Sequence, residues 1–264
     1  MKQKYGFTKE KVTIGENLTL SQIVALADFG CVKAGTVGGF IQSTDNLSQA
    51  GNCWVAEQAF VYDLARVTGD AVVRGKAIAR GRACITDRAV VKDRALIDDH
   101  AFVYEDAMVG NSSYVSGVAT IRGNATILCK SGLGPRRRPN VRDFAIVTDN
   151  AVMLRYASIR DHAVLKDNAV LKGNARMKDD AVASDDAIVL GNAKIEQKAW
   201  IRNHVEISGR TVVAGNSIIS GNLKIGERSL IICNVRMTGN GILENVRLSG
   251  DQTYGIYSQA RNRL

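Results

Sequence analysis

Residues 67–78 read VTGDAV VRGKAI and residues 165–176 read LKDNAV LKGNAR, so a six-residue pattern occurs twice in each stretch. In this hexad the first residue is aliphatic, the third is mostly Gly, Asp or Asn, and the fifth is mostly Ala. The aliphatic first position holds in every hexad from Val55 to Ile127 and again from Val141 to Leu243. Chance does not produce such a run, and the hexad therefore determines the fold.

Each hexad position has a physical reason. Positions five and one lie two residues apart, so on a strand their side chains point to the same side and fill a narrow interior. Positions three and four form the turn, because Gly, Asp and Asn tolerate left-handed backbone angles. Three strand–turn units close a triangular coil, and stacked coils pair their backbones at about 4.8 Å. The sequence predicts an all-β, single-stranded parallel β-helix, a hexapeptide-repeat prism of about ten coils.

The hexads also divide the chain into segments. Residues 1–52 carry apolar stretches at 18–29 and 37–41 and are predicted to form a small N-terminal β cap that covers the first coil. Residues 53–245 form the β-helix, with a loop insertion at 129–140. Residues 246–264 lose the repeat and are predicted to form a C-terminal tail or cap.

Two features carry a resemblance to known proteins. The glycine-rich run at 33–39, followed by Leu47-Ser48-Gln49 and Asn52-Cys53-Trp54, resembles the start of the YdcK-type acetyltransferases of bacteria, which have phage and prophage relatives. The hexads resemble the hexapeptide-repeat family, whose prisms wind left-handed. The resemblance implies a left-handed β-helix, a homotrimer, and CoA-dependent acyl transfer with a histidine as general base. The second hexad position departs from the family's frequent Gly, being mostly Arg, Lys, Thr or Ser.

The histidines and cysteines give little chemistry. His100, His162 and His204 all occupy hexad position four, in a turn, and His162 and His204 are weak candidates for a catalytic base. The five cysteines form no CxxC and no two histidines lie five residues apart, so no metal site is predicted. The turn role also explains the position-three carboxylates, without calcium binding, at Asp87, Asp93, Asp99, Asp161, Asp167, Asp179 and Asp185.

The one break in the repeat concentrates positive charge. The segment 130–142 contains five basic residues, no acidic residue and both prolines of a chain whose net charge is +9. This loop enters a corner that recurs one coil later at Arg155 and Tyr156, beside a column of basic second positions. Arg forks suit phosphate or carboxylate, and Tyr can stack on a base. We predict an anion-binding site formed by Arg136, Arg137, Arg138, Arg142, Arg155, Tyr156, Arg160 and Lys178.

A second surface is apolar. The sixth hexad position points outward, yet one column of sixth positions is apolar over five coils. Such a stripe is unusual on a monomer, although Val and Ile also favour strands for local reasons. We predict a subunit interface of a homo-oligomer, a trimer by resemblance, at Ile146, Val164, Val182, Trp200 and Ile218.

Two functions remain open. The favoured one is a non-catalytic binding or scaffold protein that presents the basic loop and face to an anionic partner, namely a nucleotide, a nucleic acid or an acidic protein. The alternative is a CoA-dependent acyltransferase in which the arginine loop holds the phosphates of acetyl-CoA. The chain has no targeting segment and no apolar run of membrane length, and its thiols are scattered. A cytoplasmic protein without a membrane partner is therefore expected.

Overall fold

The computed structural model describes residues 3–129, 138–257 and 261–262. The chain divides into two compact units, Met1–Asn124 and Ala125–Leu264. Both units are built from β-strands, and the described residues contain one short 3-10 helix, Thr44–Asn46, and no α-helix. In the part of the chain covered by these ranges, no helix is long and apolar enough to cross a membrane.

The first unit combines an antiparallel sheet with a parallel solenoid. Its strands are β1 (Tyr5–Ile14), β2 (Leu18–Ala25), β3 (Val37–Ile41), β4 (Trp54–Val55), β5 (Phe60–Val61), β6 (Arg66–Val67), β7 (Val72–Val73), β8 (Ile78–Ala79), β9 (Cys84–Ile85), β10 (Val90–Val91), β11 (Leu96–Ile97), β12 (Phe102–Val103), β13 (Met108–Val109), β14 (Tyr114–Val115) and β15 (Thr120–Ile121). Strands β1, β2 and β3 pair antiparallel, and β3 then pairs parallel with β5.

Buried polar contacts attach the N-terminal sheet to the solenoid. The Lys4 ammonium is 6% exposed and donates to the carbonyls of Ala50, Gly51 and Cys53 at 3.1–3.3 Å. The neighbouring Tyr5 hydroxyl donates to the carbonyl of Leu47 at 2.6 Å, and burial raises the pKa of Tyr5 to about 12. A buried cation is tolerated here because it is fully hydrogen-bonded.

The second unit is a parallel solenoid with three faces. Its strands are β16 (Thr126–Leu128), β17 (Asn140–Val141), β18 (Ile146–Val147), β19 (Val152–Arg155), β20 (Ser158–Ile159), β21 (Val164–Leu165), β22 (Val170–Gly173), β23 (Arg176–Met177), β24 (Val182–Ala183), β25 (Ile188–Val189), β26 (Lys194–Ile195), β27 (Trp200–Ile201), β28 (Glu206–Ile207), β29 (Val212–Val213), β30 (Ile218–Ile219), β31 (Asn222–Gly226), β32 (Leu230–Ile231), β33 (Arg236–Glu244), β34 (Arg247–Leu248), β35 (Thr253–Ile256) and β36 (Arg261–Asn262).

Every third strand of this unit pairs with the next on the same face. The first face contains β17, β20, β23, β26, β29, β32 and β34. The second contains β18, β21, β24, β27 and β30, and the third contains β16, β19, β22, β25, β28 and β31. A residue therefore lies beside the one 18 positions later, as Ser158 beside Arg176.

The interior is as narrow as the hexad requires. First-position residues such as Ile159 and Leu165 and fifth-position alanines such as Ala163 and Ala169 are completely buried. The prediction of an all-β, single-stranded parallel β-helix is thereby confirmed. Its left-handed winding stays a prediction from family resemblance.

The turns explain the third hexad position. Every non-glycine residue with positive φ, at 55–73°, lies at position three, where a glycine or a short polar side chain is least strained. The carboxylate there also accepts the backbone N–H of the position-three residue one coil later, at 2.6–3.3 Å. This contact is made by Asp63, Asp87, Asp93, Asp99, Glu105, Asp143, Asp149, Asp161, Asp167, Asp179 and Asp185.

The C-terminal end departs from the predicted boundary. Parallel pairing continues past residue 245, because β34 pairs with β32 and β35 pairs with β33. The step between partners shortens from 18 residues to 17, as in Leu230 with Arg247 and Arg236 with Thr253. The hexad thus disappears from the sequence before the solenoid ends.

Candidate anion-binding groove

A groove of about 480 Å³ lies on the first face of the second unit. Four successive strands form its floor, namely β17, β20, β23 and β26. It contains six cationic side chains, one carboxylate and one phenol. The groove is lined by Arg138, Asn140, Arg142, Tyr156, Ser158, Arg160, Arg176, Met177, Lys178, Lys194 and Glu196.

The side chains of the groove form two columns, because positions six and two of each strand both point outward on either side of the buried position one. The position-six column is Asn140, Ser158, Arg176 and Lys194. The position-two column is Arg142, Arg160, Lys178 and Glu196. Paired strands are about 4.8 Å apart, so neighbouring members of a column can contact the same ligand group.

Turn carboxylates partly balance the position-two column. Arg142 lies 3.9 Å from Asp143, and Arg160 lies 3.8 Å from Asp161. These distances are too long for hydrogen bonds, so the guanidinium donors are not consumed. The expectation that the basic column repels itself without a bound anion is therefore too strong, since each arginine has a carboxylate beside it.

Lys178 is held more closely than the arginines. Its ammonium lies 3.3 Å from Asp179 and 3.6 Å from Glu196. The backbone N–H of Gln197, which donates to Asp179, lowers the pKa of that carboxyl below its usual value, and Lys178 adds to the effect. Asp179 consequently stays ionised beside Lys178 at neutral pH.

The structure brings most of the predicted anion-site residues together. Five of the eight line the groove: Arg138, Arg142, Tyr156, Arg160 and Lys178. Arg155 does not line it; this exposed residue ends β19 and has a φ of 67°. Arg136 and Arg137 lie outside the described residues.

Sequence reasoning missed one half of the groove. Arg176, Lys194, Asn140 and Ser158 were overlooked because only second positions had been stacked along this face. The signal was present, since these four residues are spaced by 18 at position six. A basic sixth position also stands out where most hexads carry an apolar residue.

The histidines lie outside the lining of the groove. His162 is exposed in the turn after Arg160, and its ring stacks on Phe144 with centroids 4.9 Å apart. His204 lies at another corner, where its Nε2 is 3.3 Å from Asp186. No histidine lines the groove among the described residues.

The predicted apolar stripe forms one continuous column on the second face. Ile146, Val164, Val182, Trp200 and Ile218 pair in register, and each is partly exposed. The Trp200 indole N–H donates to the Ser184 hydroxyl at 2.8 Å, and Arg202 lies over the indole ring at 4.8 Å. The tryptophan is thus fixed in one orientation.

The fold and its hexads make this chain a hexapeptide-repeat β-helix protein with a basic groove on one face. It is 36% identical over 69 residues to an uncharacterized acetyltransferase, YdcK, of Escherichia coli strain K12. That match covers 26% of this chain and 21% of YdcK, so the chain matches about a fifth of the length of this relative.

Among solved structures, the chain is similar to UDP-N-acetylglucosamine O-acyltransferase (LpxA) from Moraxella catarrhalis RH4. The identity is 21% and the TM-score is 0.29, over 62% of this chain and 66% of LpxA. No family model matches the chain.

Proposed function

We propose that this protein is a CoA-dependent acyltransferase and that its acyl donor binds along the basic groove. The observation that carries the proposal is the groove itself, in which six cations and one carboxylate surround about 480 Å³. That volume lies within the usual range for small-molecule sites. The local similarity to a protein named as an acetyltransferase favours acyl transfer over other uses of such a groove.

The groove residues suit the phosphates of CoA. Arg142 and Arg160 present guanidinium forks, which match phosphate oxygens in pairs. Tyr156 at the rim offers an aromatic face for a nucleobase. When bound, CoA supplies an acyl group activated as a thioester. The role of this chain is to bind the phosphates and to hold the donor along the first face.

Acyl transfer also needs a group that accepts a proton from the attacking amine or hydroxyl. Glu196 is the carboxylate that lines the groove, and His162 is an exposed imidazole one turn beyond Arg160. Of the sequence candidates, His204 lies on another corner, away from the groove lining. We therefore propose His162 or Glu196 as the proton acceptor within this unit.

One observation favours the non-catalytic alternative. Among the described residues of the groove there is no histidine, which is the usual base for this reaction class. A scaffold that only binds a phosphorylated partner needs the cations and no base. The two functions therefore agree on binding and differ on turnover.

Binding and turnover separate these possibilities. We expect isothermal titration calorimetry to show binding of acetyl-CoA by the wild-type chain, and Arg160→Ala to weaken it about tenfold or more. Arg236→Ala, which removes an exposed arginine from another face, is the matched control. Release of CoA thiol with a panel of amine and hydroxyl acceptors measures turnover.

Each result decides between the functions. Binding with thiol release that is lost in His162→Asn or Glu196→Gln supports the transferase. Binding without thiol release favours the non-catalytic function. A single-stranded oligonucleotide that binds more tightly than acetyl-CoA, with a steep salt dependence, would indicate a nucleic-acid partner instead.

A further inference from the structure

The cations on the strands of the groove differ in how far their charge is balanced. Arg142, Arg160 and Lys178 each have a carboxylate within 4 Å. Arg176 and Lys194 have no such ion pair with any carboxylate in the part of the chain that the structure describes. The unbalanced positive charge of the strands therefore lies on the position-six column.

Arg176 and Lys194 are also direct neighbours. They pair in register on β23 and β26, and both side chains are exposed on the first face. With backbones about 4.8 Å apart, a guanidinium fork and an ammonium can donate to the oxygens of one phosphate. An isolated pair of exposed cations with the same orientation gains most from a ligand of charge near −2.

We infer that Arg176 and Lys194 form the binding site for a terminal phosphate monoester of the acyl donor. This inference rests on the proposed function and assigns one phosphate of the donor to one pair of residues. A monoester carries close to two negative charges at neutral pH, whereas each phosphate of a pyrophosphate diester carries one. The singly charged groups suit Arg142 and Arg160, whose charges are shared with turn carboxylates.

The test compares CoA with dephospho-CoA, which lacks only the phosphate monoester. Calorimetry is run on the wild type, on Arg176→Ala/Lys194→Ala, and on Lys224→Ala/Arg236→Ala. The last variant also removes two exposed position-six cations, but from outside the groove. We expect the wild type and this control to bind CoA about ten- to hundredfold more tightly than dephospho-CoA. In the groove variant the ratio falls to about one.

The ratio removes the general effect of lowering the net charge, because both ligands experience that effect. The charge-conserving exchange Arg176→Lys/Lys194→Arg is expected to keep the preference for CoA. If CoA binds but its preference over dephospho-CoA survives in the groove variant, the phosphate assignment is wrong and the proposed function stands. Equal wild-type affinities for the two ligands would overturn the assignment in the same way. If neither ligand binds the wild type, the proposed function fails as well.

Discussion

The turn aspartates give a quantitative test of what stabilises the coil, and Asp185 is the clearest case. Its carboxylate accepts the backbone N–H of Asn203, one coil later, at 2.9 Å, and its own φ is 57°. Two separate effects therefore act at this position. The side chain makes a charge-assisted hydrogen bond, and the residue type sets the cost of the left-handed backbone.

Three substitutions separate these effects. The hydrogen bond contributes about 1.5 kcal/mol, and left-handed φ costs a residue with a Cβ about 1 kcal/mol or more. Asp185→Gly loses the bond but relieves the backbone, so we expect a loss of about 1–2 kcal/mol. Asp185→Ala keeps the backbone cost without the bond and should lose about 1 kcal/mol more. Asp185→Asn keeps an acceptor and tolerates the conformation, so its loss should stay below about 1 kcal/mol.

Equilibrium urea unfolding followed by far-UV circular dichroism measures these losses, provided the slope is the same in each variant. Hydrogen exchange of the Asn203 amide reports the broken contact directly. Asp180→Ala is the matched control, because Asp180 is an exposed turn aspartate without positive φ and without a hydrogen bond to any described residue. If Asp185→Ala and Asp185→Gly are equally destabilised, the backbone argument fails. If Asp185→Gly matches the wild type, the hydrogen bond contributes nothing.

Further predictions concern the N-terminal sheet, a buried ion pair and the apolar stripe. Tyr5→Phe should lower the free energy of unfolding by about 1 kcal/mol at neutral pH, and since the pKa of Tyr5 is raised to about 12, its stabilisation should be lost as pH rises from 10 towards 12, measurable by unfolding at each pH. Asp98 is 8% exposed and burial acts to raise its pKa, but hydrogen bonds led by that from Arg80 hold the pKa below its usual value. Arg80→Met should therefore cost about 1–2 kcal/mol at pH 7 and progressively less as pH falls below 4, where Asp98 protonates; a difference independent of pH would contradict this. Trp200→Glu should convert an oligomer to a monomer in light scattering, whereas a monomeric wild type well above micromolar concentration would refute the interface.

The sequence alone predicted the architecture, because the interior of a triangular coil admits one small and one branched residue per strand. The hexad therefore records the core directly, as at Ile159 and Ala163. The fixed 18-residue coil also allowed Tyr156, Arg160 and Lys178 to be placed near one another before any coordinates, although they are distant in sequence. Such inference works where each coil has the same length.

Other features depended on the tertiary structure. The coil shortens to 17 residues near Leu230, and the ladder continues without a recognisable hexad because backbone pairing does not require one. The burial of Lys4 likewise depends on carbonyls more than 40 residues away.

The width of the groove and its charge balance also came from the structure. Outward columns at positions six and two lie on the same face, so Arg176 and Lys194 join the position-two cations. The conformations of the long side chains then determine which cations lie near a turn carboxylate, as Lys178 lies near Asp179. The hexad specifies strand positions, whereas the positions of charged atoms at the ends of flexible side chains are determined only by their neighbours in space.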